Sequence, residues 1–112
     1  MSLKWLFKDQ SVKKRSIKQE DSIAEEVGGR RVPVSGGIAG LRGDVVTKEL
    51  YIECKYSKGS FRITKELMDE IKTRSSGANK DWVLVIELQD EFGKAVHKMA
   101  VTDYEEFLGR SI

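Results

Sequence analysis

Two carboxylates and an ammonium group lie close together in one short stretch: Asp44 at its start, and Glu53 and Lys55 at its end. The segment from Gly43 to Lys55 reads as two β-segments joined by a tight turn. In Leu50-Tyr51-Ile52-Glu53-Cys54-Lys55 the side chains alternate, so Leu50, Ile52 and Cys54 face one way and Tyr51, Glu53 and Lys55 the other. If the two segments pair, Asp44 returns beside Glu53. Two hard oxygen ligands and one cation would then share a spot, which is what binding Mg²⁺ and hydrolysing a phosphodiester require. The plainer alternative is a solvated hairpin with scattered charges. In a chain that is 34% charged, Asp-x8-Glu-x-Lys also arises by chance.

A helix must precede this stretch. Ser16-x-x-Gln19 has the form of a capping box, and Gly28-Gly29 supplies a stop, giving a body from Ile17 to Val27. Ile23, Ala24 and Val27 form its apolar stripe. Glu20 lies three residues before Ile23 and four before Ala24, so it falls on that stripe. A carboxylate facing a core is costly unless a metal, a metal-bound water or a lysine meets it. Glu20 is therefore a candidate third acid. Its place in the first turn offers a second explanation, because acids are favoured there by the helix dipole.

Between helix and hairpin the chain is basic and glycine-rich. Arg30, Arg31 and Arg42 are placed to hold phosphates. The glycines from Gly36 to Gly43 could let a nucleic-acid backbone approach, or could form an ordinary surface loop. They lack the spacing of a Walker loop. After Lys55 comes a polar loop with Lys58 and Arg62. A helix follows from Lys65 to Arg74, capped by Thr64, with Ile63, Leu67, Met68 and Ile71 as its stripe. Ser75 to Asp81 reads as a turn-rich break. Trp82 to Ile86 reads as a strand covered on both faces. A hairpin turn at Asp90 to Lys94 leads to a strand from Ala95 to Val101. His97 reads as a half-exposed strand residue. Thr102-x-x-Glu105 then caps a closing helix with Tyr104, Phe107 and Leu108, ended by Gly109.

The resulting order is helix, three strands, helix, two strands, helix. This is an α/β fold with a small mixed sheet flanked by helices. At 112 residues the chain suits one domain, residues 16–112, preceded by a basic arm, residues 1–15. Lys4, Lys8, Lys13, Lys14, Arg15 and Lys18 oppose only Asp9 in the first eighteen residues, a distribution that suits a polyanion or a solvated tail. One cysteine excludes a disulfide scaffold, and one cysteine with one histidine disfavours a zinc site. No apolar run approaches the ~18 residues of a membrane span. Leu3-Lys4-Trp5-Leu6-Phe7 does not form a secretory leader, so a cytoplasmic location is expected.

The arrangement resembles the PD-(D/E)xK nuclease superfamily, and within it the small Holliday-junction resolvases of archaeal and phage type. The residues that carry the resemblance are Lys18-Gln19-Glu20, Arg31-Val32-Pro33-Val34-Ser35-Gly36-Gly37, Gly43-Asp44-Val45 and Ile52-Glu53-Cys54-Lys55. Gly43 departs from the superfamily pattern, which has proline before the aspartate. The resemblance implies a restriction-endonuclease-like fold and Mg²⁺-dependent cleavage of branched DNA, with Mn²⁺ able to substitute. It implies that Asp44, Glu53 and the Cys54 carbonyl ligate the metal and that Glu20 joins through a water or a second ion. Lys55 would orient or deprotonate the attacking water, and Ser35 would hydrogen-bond a phosphate near the cut. Arg30, Arg31, Arg42, Lys58 and Arg62 would track the DNA backbone. Symmetric cutting of two strands would need a twofold homodimer. Two alternatives stay open: another structure-selective or nicking nuclease of the same fold, and a non-catalytic DNA-binding module.

Overall fold

The computed structural model describes residues 17–32 and 45–111, with side chains through Gly109. Helix α1 (residues 17–27) is followed by strands β1 (Arg30–Arg31), β2 (Val45–Val46) and β3 (Leu50–Lys58). Helix α2 (Lys65–Gly77), strands β4 (Asp81–Gln89) and β5 (Ala95–Val101) and helix α3 (Tyr104–Ser111) complete the chain. The five strands form one sheet in the order β1-β2-β3-β4-β5. All neighbours are antiparallel except β3 and β4, which run parallel from Leu50↔Asp81 to Lys58↔Gln89. The α/β class and the order of elements agree with the sequence reading.

The two long helices cover opposite faces of the sheet. Ile23 and Ala24 of α1 pack with Val45, Ile52, Val83 and Val85, and Leu50 and Cys54 join them. Ile71 of α2 packs with Leu84 and Ile86, against Leu67, Met68 and Trp82. Alternation along β3 and β4 sends neighbouring residues to these two cores. Val83, Leu84, Val85 and Ile86 are all buried, as a strand covered on both sides requires. Removing Ile71 or Ile52 down to alanine would cost about 2–5 kcal/mol, the usual range for a fully buried aliphatic residue.

Both long helices end in the same device. Gly28, at φ 70°, terminates α1; its N–H donates to the Glu25 carbonyl and that of Gly29 to the Ala24 carbonyl. The stop expected from Gly28-Gly29 is present. Helix α2, however, runs past Arg74. Ser75 is buried and its hydroxyl donates to the Lys72 carbonyl. The chain leaves the helix only at Asn79, at φ 56°, where the N–H groups of Asn79 and Lys80 donate to Ser76 and Ser75. Small polar residues that resemble a loop in sequence thus form the last helical turn. Thr64 does cap this helix, accepting from the Leu67 N–H.

Other expectations are corrected. Val27 and Ile63 are 42% and 45% exposed and belong to neither core. Asp103, not Thr102, caps α3, accepting from the N–H groups of Glu105 and Glu106. Gly109 does not end that helix, which continues to Ser111. Tyr104, Phe107 and Leu108 are 72%, 55% and 39% exposed, so they do not close the core. The 90–94 hairpin is present: Asp90 donates its N–H to the Lys94 carbonyl, and Gly93 turns at φ 81°.

A Cβ added at Gly29 would lie 2.5 Å from the Val46 carbonyl oxygen, so the Gly29→Ala variant should lose about 1–3 kcal/mol of stability in urea denaturation. The Lys98 ammonium of β5, 2.6 Å from the Glu26 carboxylate of α1, holds that carboxyl below its ordinary range through a hydrogen bond and charge. Such a group adds stability above its unfolded-state pKa, and that contribution is lost as pH falls through the folded value. Glu26→Gln should therefore be less stable than the wild type at neutral pH, and the gap should narrow as the pH falls below the ordinary carboxylate range when urea midpoints are compared.

Candidate active site

The Glu-x-Lys pair lies in the middle of β3, the strand that receives β2 on one side and β4 on the other. Pleating turns Ile52 and Cys54 into the α1 core and Glu53 toward α2. Glu53 is only 1% exposed. Its Oε1 is 3.3 Å from the Lys55 ammonium, and its Oε2 is 3.5 Å from Nη1 of Arg74 on α2. Among the described residues Oε2 accepts no hydrogen bond. Nη2 of Arg74 donates to Glu70 at 2.5 Å, one helical turn back. A buried carboxylate therefore sits between two cations from different elements, one two residues along its own strand and one across the face of the sheet. Burying it without them would cost several kcal/mol.

The turn entering β3 is fixed by its own polar groups. The Thr47 hydroxyl oxygen accepts from the N–H groups of Glu49 and Leu50. Lys80, at the mouth of β4, donates to the carbonyls of Thr47 (2.6 Å) and Lys48 (3.0 Å). Val45 stands opposite Ile52 and Val46 opposite Tyr51, so the expected hairpin is formed in this register.

Glu20 is 3% exposed, in keeping with its position on the apolar stripe of α1. Its neighbour Gln19, also buried, donates from Nε2 to the Lys55 carbonyl at 2.8 Å. The start of α1 is thereby tied to the same residue that completes the Glu-x-Lys pair, although the body of α1 covers the opposite face from Glu53. Among the described residues no three His, Cys, Asp or Glu side chains form a group that could hold a metal ion. Asp44, Ser35 and Arg42 lie outside the described residues, as does the 1–15 arm.

The remaining candidates are spread over the surface. Arg30, Lys58 and Arg62 are exposed, and Arg31 pairs with Asp21 at 3.0 Å. Cys54 is a half-buried free thiol against the α1 core. His97 lies exposed on β5. Glu53 carries the hard carboxylate oxygens that Mg²⁺ takes as ligands, and its described neighbours are the two cations Lys55 and Arg74.

Two contributors went unrecognised in the sequence. Gln19 falls in the capping box and in the Lys18-Gln19-Glu20 block, but neither points to its bond with the Lys55 carbonyl. Arg74 carried a usable signal: it lies three residues after Ile71 and seven after Leu67, so a cation falls on the buried stripe and calls for an acid opposite it.

No family model, curated protein or solved structure matches the chain. Among the described residues, no helix is long and apolar enough to cross a membrane.

A double-mutant cycle tests the buried cluster. Glu53→Gln and Arg74→Met, alone and together, should reveal a coupling of about 1 kcal/mol or more in urea denaturation, within the usual range for residues in contact. Additive effects would show that the pair is not coupled.

Proposed function

We propose that the protein is a Mg²⁺-dependent endonuclease that hydrolyses phosphodiesters in branched DNA, similar to Holliday-junction resolvases, on a restriction-endonuclease-like fold. The observation that carries this reading is the buried Glu53 carboxylate with Lys55 beside it, on the strand that pairs with Val45. Asp44 is bonded to Val45, and Val45 faces Ile52, the residue bonded to Glu53. Asp44 and Glu53 would hold the cation, with the Cys54 carbonyl as a further ligand. Glu20, next to the Gln19 that binds the Lys55 carbonyl, would contribute through a water or a second ion.

Bound Mg²⁺ supplies positive charge to the oxygens of the scissile phosphate and lowers the pKa of a coordinated water. Lys55 would orient or deprotonate the attacking water and offset charge building on the phosphate. Ser35 would hydrogen-bond that phosphate. Arg30, Arg31, Arg42, Lys58 and Arg62 would follow the DNA backbone, so binding should weaken steeply with salt. None of these groups is a base-reading constellation, which leaves DNA shape as the recognised feature. A twofold homodimer would bring two such sites to a four-way junction.

A second reading has its own observation. Glu53 already meets two cations, so the cluster could be a structural ion pair in a non-catalytic DNA-binding module. Incubation with a synthetic four-way junction and Mg²⁺ separates the two, with plain duplex and flap substrates alongside. Cleavage is expected, with junctions preferred. Glu53→Gln and Lys55→Ala should each reduce it by more than about 100-fold while gel-shift binding persists. Full cleavage by both variants would overturn the proposal, and binding without any product in the wild type would favour the module.

A further inference from the structure

Lys80 does more than hold the turn into β3, for it also lines a pocket that has no role in the reaction proposed above. The pocket, about 420 Å³, lies where α1 ends and the β2–β3 turn meets the head of β4, and Gly29, Arg30, Thr47, Lys48 and Lys80 line it. We infer that it is a binding site for a phosphate group. Only Arg30 among these residues belongs to the DNA-following set named above. The site stands without the nuclease reading, since holding an anion requires neither Glu53 nor a metal.

The polar side chains of the lining are donors. No carboxylate lines the pocket, and among the described residues no ion pair joins Arg30, Lys48 or Lys80 to an acid. Lys80 gives two of its three hydrogens to the Thr47 and Lys48 carbonyls, which keeps one for a ligand and engages both of those acceptors. The Thr47 hydroxyl oxygen accepts from two backbone N–H groups, so its lone pairs are used and its own hydrogen is left to donate. Arg30 and Lys48 are exposed, and Lys80 is half-buried. Three cations without an acid partner lining one space repel one another, and a negatively charged ligand rich in acceptor oxygens relieves that repulsion. A phosphate is such a ligand. A metal cation would add to the repulsion, and a sugar would bring hydroxyl donors with few free acceptors to meet them. The C-terminal end of α1 opposes an anion with about half an elementary charge, against three full charges of the favourable sign.

Titration of the full chain with inorganic phosphate, followed by amide NMR at constant ionic strength, tests the site. The amides of Gly29, Thr47 and Lys48 should shift and saturate, while chloride at the same ionic strength leaves them in place. Arg30→Gln and Lys48→Gln each remove one exposed charge and should weaken phosphate binding by about threefold, and the double variant by about tenfold. Two oligonucleotides of one sequence, one ending in a phosphate and one in a hydroxyl, identify the source of the group. Shifts at the same amides with both strands assign the pocket to a backbone diester. Shifts with the phosphorylated strand alone assign it to a terminal monoester, and shifts with inorganic phosphate alone assign it to the free ion. The inference is overturned if no saturable shift occurs at these amides in the wild type, or if equal shifts appear at the exposed Lys65 and Lys94. Undiminished phosphate binding by the folded double variant overturns it as well.

Discussion

A carboxylate taken almost wholly out of water on the central strand of a small sheet constrains everything around it. Glu53 is 1% exposed, and the several-kcal/mol cost of placing an acid there is offset by Lys55 and Arg74. Lys55 is supplied by the two-residue period of β3 itself. Arg74 requires that α2 lie across that face of the sheet, and the parallel β3-α2-β4 connection puts it there. The apolar contacts of Ile71 with Leu84 and Ile86 hold α2 in place, so core packing and the charged cluster depend on the same helix. On the opposite face, Ile23 and Ala24 seat α1, and Gln19 at its start grips the Lys55 carbonyl.

Much of this frame could be read from the residues alone. The alternation of Leu50 to Lys55 assigned Glu53 and Lys55 to one face because a strand has no other way to place them. The apolar run from Trp82 to Ile86 pointed to the doubly covered strand, since a strand between two helical layers buries consecutive residues, and Val83 to Ile86 are buried. Gly28 stopped α1 because a left-handed residue costs glycine nothing. Each of these signals is local: its cause lies within a few residues.

What escaped reading depends on contacts between distant segments. Ser75 to Gly77 have the composition of a loop, yet they stay helical because Ser75 is buried and the left-handed exit is made by Asn79. Arg74 and Glu53 are separated by twenty residues of chain, and nothing near either one names the other. The same holds for Gln19 and Lys55. Tyr104, Phe107 and Leu108 have helical spacing, but periodicity does not say whether a helix finds a surface to cover, and these three remain exposed. Asp44 lies outside the described residues, while its neighbour Val45 stands opposite Ile52.

The central claim is that the shielded acid on β3 is a divalent-cation ligand and not merely one member of an ion pair. Anomalous diffraction from Mn²⁺-soaked crystals tests it most directly. The account predicts a peak within about 2.2 Å of a Glu53 carboxylate oxygen, the distance expected for a small divalent ion on a hard oxygen ligand. A fully soaked crystal with no anomalous density at Glu53, and with Lys55 and Arg74 still in contact with both of its oxygens, would contradict it.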